Sequence, residues 1–194
     1  MAGTATSSSA RPAGSPKTKK NPSLENPFAL VTLYAGNEEN AKPFKLHTDF
    51  ACHYSPVFKA AFNSGFTEGQ YQEYRLDVEE EEVVRLLVEW FYTQALNTRQ
   101  PEEKLDDAAT MEEDLILAKL CVLADKLLLP QMQNQVLDRV QEIRNAAGRI
   151  PTECLHYVYN NTPPGSPLRR WMWLRQFQGT ISMIKDEDHI SGIA

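Results

Sequence analysis

Residues 42 to 69 constrain the fold most, because within this one stretch the apolar repeat switches from two residues to the helical period. Phe44 and Leu46 alternate with Lys45 and His47, the pattern of a strand buried on one face. Leu30 to Tyr34 is also β-prone, and Gly36 to Asn40 supplies turn residues, so the two segments form a hairpin. Thr48 or Asp49 caps a short helix. Ser55-Pro56 then opens a second one, with serine as the cap and proline at the first helical position, where no backbone N–H is needed. Val57, Phe58, Ala61 and Phe62 share one face of that helix, and Asn63-Ser64-Gly65 ends it. The spacing therefore predicts a hairpin that feeds two short helices meeting at an angle.

Further along, Tyr74, Leu76 and Val78 alternate with Arg75 and Asp77 as a third strand. Glu79 to Glu82 place four carboxylates at a helix start, where the macrodipole favours them and solvent receives them. Val83, Leu86, Leu87, Trp90 and Phe91 make the apolar stripe of that helix. Thr93 to Thr110, with Pro101, Glu102, Glu103, Asp106 and Asp107, reads as a surface excursion. Leu115 to Leu129 is apolar on nearly every side and should be the central helix. It is shorter than the roughly 20 residues of a membrane span and carries Lys119, Asp125 and Lys126. Pro130 opens a helix with Met132, Val136, Val140 and Ile143 on one stripe and Gly148 as its terminator. A shorter helix from Thr152 runs through Leu155 and Val158, Thr162-Pro163-Pro164-Gly165 breaks the chain, and Ser166-Pro167 starts a last helix.

The 194 residues suffice for one domain with tails. The net charge of -6 is uneven: Arg11, Lys17, Lys19 and Lys20 against Glu25 give +3 over residues 1 to 28, leaving -9 on the rest. An acidic body argues against nucleic acid, which needs clustered Lys and Arg. Lys17 to Lys20 reads as a solvated tail, with a nuclear import signal as the sharper alternative. Cys52, Cys121 and Cys154 are odd in number, widely spaced and set among apolar neighbours, which fits a reducing, intracellular setting in cytoplasm or nucleus. No membrane segment or signal peptide is expected.

The element order resembles the BTB/POZ domain, a protein-interaction fold. Particular residues carry the resemblance: Val31 and Gly36, His47, Ser55-Pro56-Val57-Phe58, Gly65-Phe66, Trp90-Phe91-Tyr92-Thr93, then Leu123-Ala124-Asp125-Lys126 and Pro130. The run from Tyr159 to Arg170 is similar to the extension of short fungal BTB proteins without a second domain. The resemblance implies an α/β (α+β) fold with a small, mostly three-stranded sheet flanked by helices. It divides the chain into a disordered tail at 1–27, the domain at 28–145, a helical extension at 146–178 and a second disordered tail at 179–194. Trp171, Met172, Trp173 and Phe177 settle on no single stripe of the extension.

Two positions depart from the family's pattern. Many members open the first strand with aspartate and follow the histidine with a basic residue, a charged pair in the dimer groove; here these are Leu30 and Thr48. Both partners are absent together, so no lone buried charge results and the fold is not threatened. The corepressor type of groove is put in doubt. Ser23 to Phe28, with Pro22 and Pro27, is a poor N-terminal dimerisation helix, and the resemblance leaves the homodimer open.

What the resemblance implies about function is binding to other proteins. Phe66-Thr67-Glu68 matches the "hydrophobic, any residue, acidic" motif by which BTB adaptors insert an apolar side chain and a carboxylate against a cullin scaffold of ubiquitin ligases. The blander alternative is a helix-end Phe66 folded back on its own domain with Glu68 in solvent. A transcription-linked nuclear scaffold, or a self-associating protein without a ligase role, is the competing function. His47 reads as a hydrogen-bonded structural histidine, and Cys52-His53 and Cys154 with His156 have the wrong spacing for a helical chelating pair. No phosphate loop or nucleophile elbow appears, so neither enzyme chemistry, metal nor cofactor is expected.

Overall fold

The computed structural model describes residues 22–37, 39–76, 80–100, 106–147, 154–166 and 168–170. The hairpin forms from β1 (Leu30–Ala35) and β2 (Lys42–His47), antiparallel, with Val31 opposite Leu46 and Leu33 opposite Phe44. Val31, Leu33, Ala35 and Leu46 are buried, so alternation sets one sheet face into the core. β3 (Glu73–Leu76) lies parallel to β1, with Thr32 opposite Glu73, and the sheet order is β2-β1-β3. The third strand is described through Leu76, and the expected continuation through Asp77 and Val78 lies outside the described residues.

Between β2 and β3 run α1 (Thr48–Tyr54), α2 (Pro56–Phe62) and α3 (Thr67–Tyr71). Neither Thr48 nor Asp49 caps α1. His47 occupies the cap position without a side-chain bond, and Asp49, inside the first turn, accepts from the Glu25 and Asn26 N–H groups at 3.0 and 3.3 Å. The carboxylate thus ties down the incoming chain, a demand no local pattern reveals. Ser55 does cap α2: its Oγ accepts from the Phe58 N–H at 3.2 Å and donates to the Leu127 carbonyl at 2.8 Å. One hydroxyl joins the second short helix to the far end of the central one.

α4 (Glu81–Thr93), α5 (Asp107–Lys126), α6 (Pro130–Ala147) and α7 (Leu155–Asn161) complete the described elements. α5 packs against α4, α6 and α7, and its residues from Ile116 to Ala124 are all buried, as its apolar circumference predicts. The acidic start of α4 is paired instead of merely solvated: Glu80 with Lys119, Glu81 with Lys42, and Glu82 with Arg85 at 2.7 Å. The hydrogen bond from Arg85 holds the Glu82 carboxyl below its ordinary range. Glu79, Gly148, Thr152, Trp171, Met172, Trp173, Phe177, the expected first tail as far as residue 21 and the whole expected second tail at 179–194 lie outside the described residues. No helix among the described residues is long and apolar enough to cross a membrane.

Three helices end in non-glycine residues of left-handed conformation: Gln72, Gln94 and Leu128, with φ of 56, 55 and 54°. At the first two, the side-chain amide bonds back to helix carbonyls, Gln72 to Phe62 and Gly69 and Gln94 to Trp90. Leu128 sits where glycine is usual, with the Leu129 N–H closing on the Ala124 carbonyl at 2.8 Å, and is 56% exposed. Its strain is about 1–2 kcal/mol and little packing offsets it. Leu128→Gly is therefore expected to raise stability by about 0.5–1 kcal/mol after glycine's entropy is counted; a lower urea midpoint would show that Leu128 packs better than its exposure indicates.

Burial, reinforced by Asp125, pushes the Cys121 thiol up to about 12 from 9.0. The folded state therefore holds its proton longer than the unfolded chain. This contribution is complete below pH 9 and is lost between pH 9 and about 12, at up to about 1.4 kcal/mol per pH unit. Stability measured from pH 8 to 10.5 should fall less steeply in Cys121→Ala than in the wild type; equal slopes would contradict the burial.

Candidate functional site

The loop leaving α2 sets up Phe66, Thr67 and Glu68. Ser64 Oγ donates to the Ala61 carbonyl at 2.7 Å and accepts from the Phe66 N–H at 3.2 Å, fixing the turn. Phe66 is the cap residue of α3, with φ of -78° and ψ of 178°, and Thr67 and Glu68 form its first turn. Gln70 closes the other side, its N–H to the Phe66 carbonyl at 3.0 Å and its amide to the Gly65 carbonyl at 2.8 Å. Gly69 permits the fold-back: a Cβ there would come 2.0 Å from the Ser64 carbonyl oxygen. No residue of α3 is buried, and polar side-chain bonds from Ser64, Gln70 and Gln72 together with this backbone approach hold the helix on the domain.

The motif does not end a helix, as its bland alternative supposed, but begins one. Phe66 is 77% exposed and not folded back, Thr67 is exposed, and Glu68 is half-buried instead of free in solvent. Tyr71, 69% exposed at the other end of α3, extends the aromatic surface. Burial first, and then the Glu68 carboxylate, raise the Tyr74 phenol above its ordinary value. The arrangement is an exposed aromatic ring two residues before a half-buried carboxylate. Sequence reasoning missed α3 and Tyr71; the acidic first turn Thr67-Glu68 was the available signal.

Leu30 and Thr48 meet at one end of the hairpin, where Leu30 faces His47 and the Thr48 N–H bonds to the Ala29 carbonyl at 3.0 Å. Phe28 beside them is 90% exposed, and residues 22–29 form no helix. His47 is hydrogen-bonded, its Nδ1 2.9 Å from the Tyr92 hydroxyl and its ring among Phe50 and Tyr92. His53 packs edge-on to Tyr54, and His156 Nε2 meets Asn160 Nδ2 at 2.9 Å. Among the described residues no group of three or more His, Cys, Asp and Glu side chains is arranged to hold a metal.

A small three-stranded sheet carrying a cluster of helices is the architecture of a protein-interaction domain. The family model of the BTB/POZ domain matches residues 21–143, more than half of the chain, every element from β1 to α5 and most of α6. The chain belongs to the BTB/POZ family. No curated protein matches it.

Proposed function

We propose that this BTB/POZ domain is an adaptor that docks on the N-terminal region of a cullin scaffold through Phe66, Thr67 and Glu68, bringing other proteins to a ubiquitin ligase inside the cell. The observation that carries the reading is the exposed Phe66 on a turn held by Ser64, Gly69 and Gln70, with Glu68 two residues on in the first turn of α3. A preorganised aromatic enters a partner's pocket without the entropy cost of ordering a loop, and the carboxylate sets register. Residues 28–145 do this binding.

Titration calorimetry of the full chain with a cullin N-terminal region tests it. Phe66→Ala combined with Glu68→Ala is expected to weaken binding by about 30-fold or more, the loss of a central anchor. Both side chains lie outside the core cluster, so the melting temperature should barely move. Unchanged affinity in the double variant ends the site assignment, and a wild type that binds no cullin ends the adaptor role.

A further inference from the structure

Beyond the stretch that the BTB/POZ family model matches, the chain turns back onto the central helix. α7 packs against α5, and Cys154, Val158 and, after the turn, Leu168 are buried in the core cluster. Lys119 of α5, only 9% exposed, pairs with Glu80 and lies 5.7 Å from the Tyr157 ring centre, which ties in the start of α4 as well. Residues 154–166 and 168–170 therefore form a strap across α5.

One threonine fastens it. Thr162, 8% exposed, ends α7: its Oγ1 donates to the Val158 carbonyl at 2.6 Å and accepts from the Arg169 Nε–H at 2.9 Å. The same guanidinium donates to the Tyr159 and Thr162 carbonyls and lies 4.9 Å from the Tyr159 ring centre. These bonds satisfy carbonyls that the end of a helix leaves without partners. Pro163, Pro164 and Gly165 follow, all three exposed, and the Ser166 N–H closes the turn on the Pro163 carbonyl at 3.1 Å. Pro163 keeps Thr162 out of helical geometry, at φ of -130° and ψ of 147°. A hydroxyl residue in extended backbone, followed directly by proline on an exposed turn, is the acceptor pattern of proline-directed protein kinases.

We propose that Thr162 is a phosphorylation site for a proline-directed kinase and that its phosphate unfastens the strap from α5. Oγ1 attacks the γ-phosphorus of a magnesium-bound nucleoside triphosphate. The new O–P bond replaces the bond to the bridging oxygen, the nucleoside diphosphate leaves with that electron pair, and the hydroxyl proton passes to the kinase's base. The product has no hydrogen for the Val158 carbonyl and sets a dianion against the negative end of α7. Arg169 binds a phosphate best with two prongs, which draws its Nη2 away from the Tyr159 and Thr162 carbonyls. Water hydrates the dianion fully only when the strap is open. Transfer proceeds through the brief openings of a seven-residue helix with few buried apolar side chains, and the phosphate then holds the open state. This site lies outside the cullin-docking motif and does not depend on it.

Incubation of the full chain with a purified proline-directed kinase and magnesium ATP, followed by peptide mass spectrometry and amide exchange, tests the switch. Phosphate is expected on Thr162, and the α7 amides should then exchange about 10-fold faster or more while those of β1 and β2 stay protected. Val158→Ala makes opening easier and should speed phosphorylation of Thr162 by about 5-fold or more. A wild type that takes no phosphate at Thr162, phosphate on Ser166 alone, α7 protection unchanged in the phosphorylated chain, or a rate that Val158→Ala leaves unaltered overturns the proposal.

Discussion

Replacing Phe58 with alanine should cost about 3–5 kcal/mol, a large share of the stability of a domain this size. Phe58 is fully buried and meets Phe62 at 5.5 Å, Tyr74 at 5.1 Å and Phe91 at 5.8 Å between ring centres. These partners come from α2, β3 and α4, so one ring fastens the short-helix pair to the sheet and to the neighbouring helix. Truncation loses the transfer energy and leaves a cavity that three separate elements would have to close together. Phe58→Leu keeps most of the volume and should cost under about 2 kcal/mol. Urea unfolding of both variants measures the difference; a loss below about 1.5 kcal/mol for the alanine variant would mean the cluster collapses easily and does not organise the core.

Glu113→Ala is expected to destabilise by a comparable amount, about 3–4 kcal/mol, for a different reason. Glu113 is only 6% exposed, and its carboxylate accepts from the Arg99 N–H at 2.7 Å and the Gln100 N–H at 2.9 Å. Removing it strands two donors, one of them on a buried residue, and each lost bond to a charged acceptor is worth about 1.5–3 kcal/mol. Glu113→Gln retains one acceptor oxygen but turns an amide NH2 toward the second donor, so it should fall between. Amide exchange at Arg99 and Gln100 should accelerate in the alanine variant. Protection unchanged at both amides would show that the carboxylate is not what holds this loop.

The stretch from Thr93 to Thr110 was legible only as polar. Pro101, Glu102 and Glu103 of the expected surface excursion lie outside the described residues; on either side of them Gln100 is buried against Glu113 and Thr110, and α5 begins at Asp107. A carboxylate that binds backbone leaves no periodic mark, because its partner is a main-chain group present at every residue. Asp49 misled in the same way, looking like a cap while serving Glu25 and Asn26. By contrast Ser55-Pro56 was readable, since a cap followed by proline answers a local need.

The candidate site was half legible. The residues of Phe66-Thr67-Glu68 could be named, but whether the ring turned inward or outward could not, because an exposed and a buried phenylalanine are the same letter. α3 is five residues long, too short to show a period, and depends on Gly69 lying against the Ser64 carbonyl.

By itself the sequence determined the order of the elements other than α3 and several of their core faces. Periods of two and of 3.6, together with caps and breakers, act within a few residues and place Leu46, Phe58, Phe62, Leu87, Trp90 and Leu120 in the interior. Only the tertiary structure decided which polar groups were spent inside the fold and which remained for partners. Those groups answer to neighbours far along the chain, as Glu113 does to Gln100 and Ser55 to Leu127, and chain closure in three dimensions is what brings such groups together.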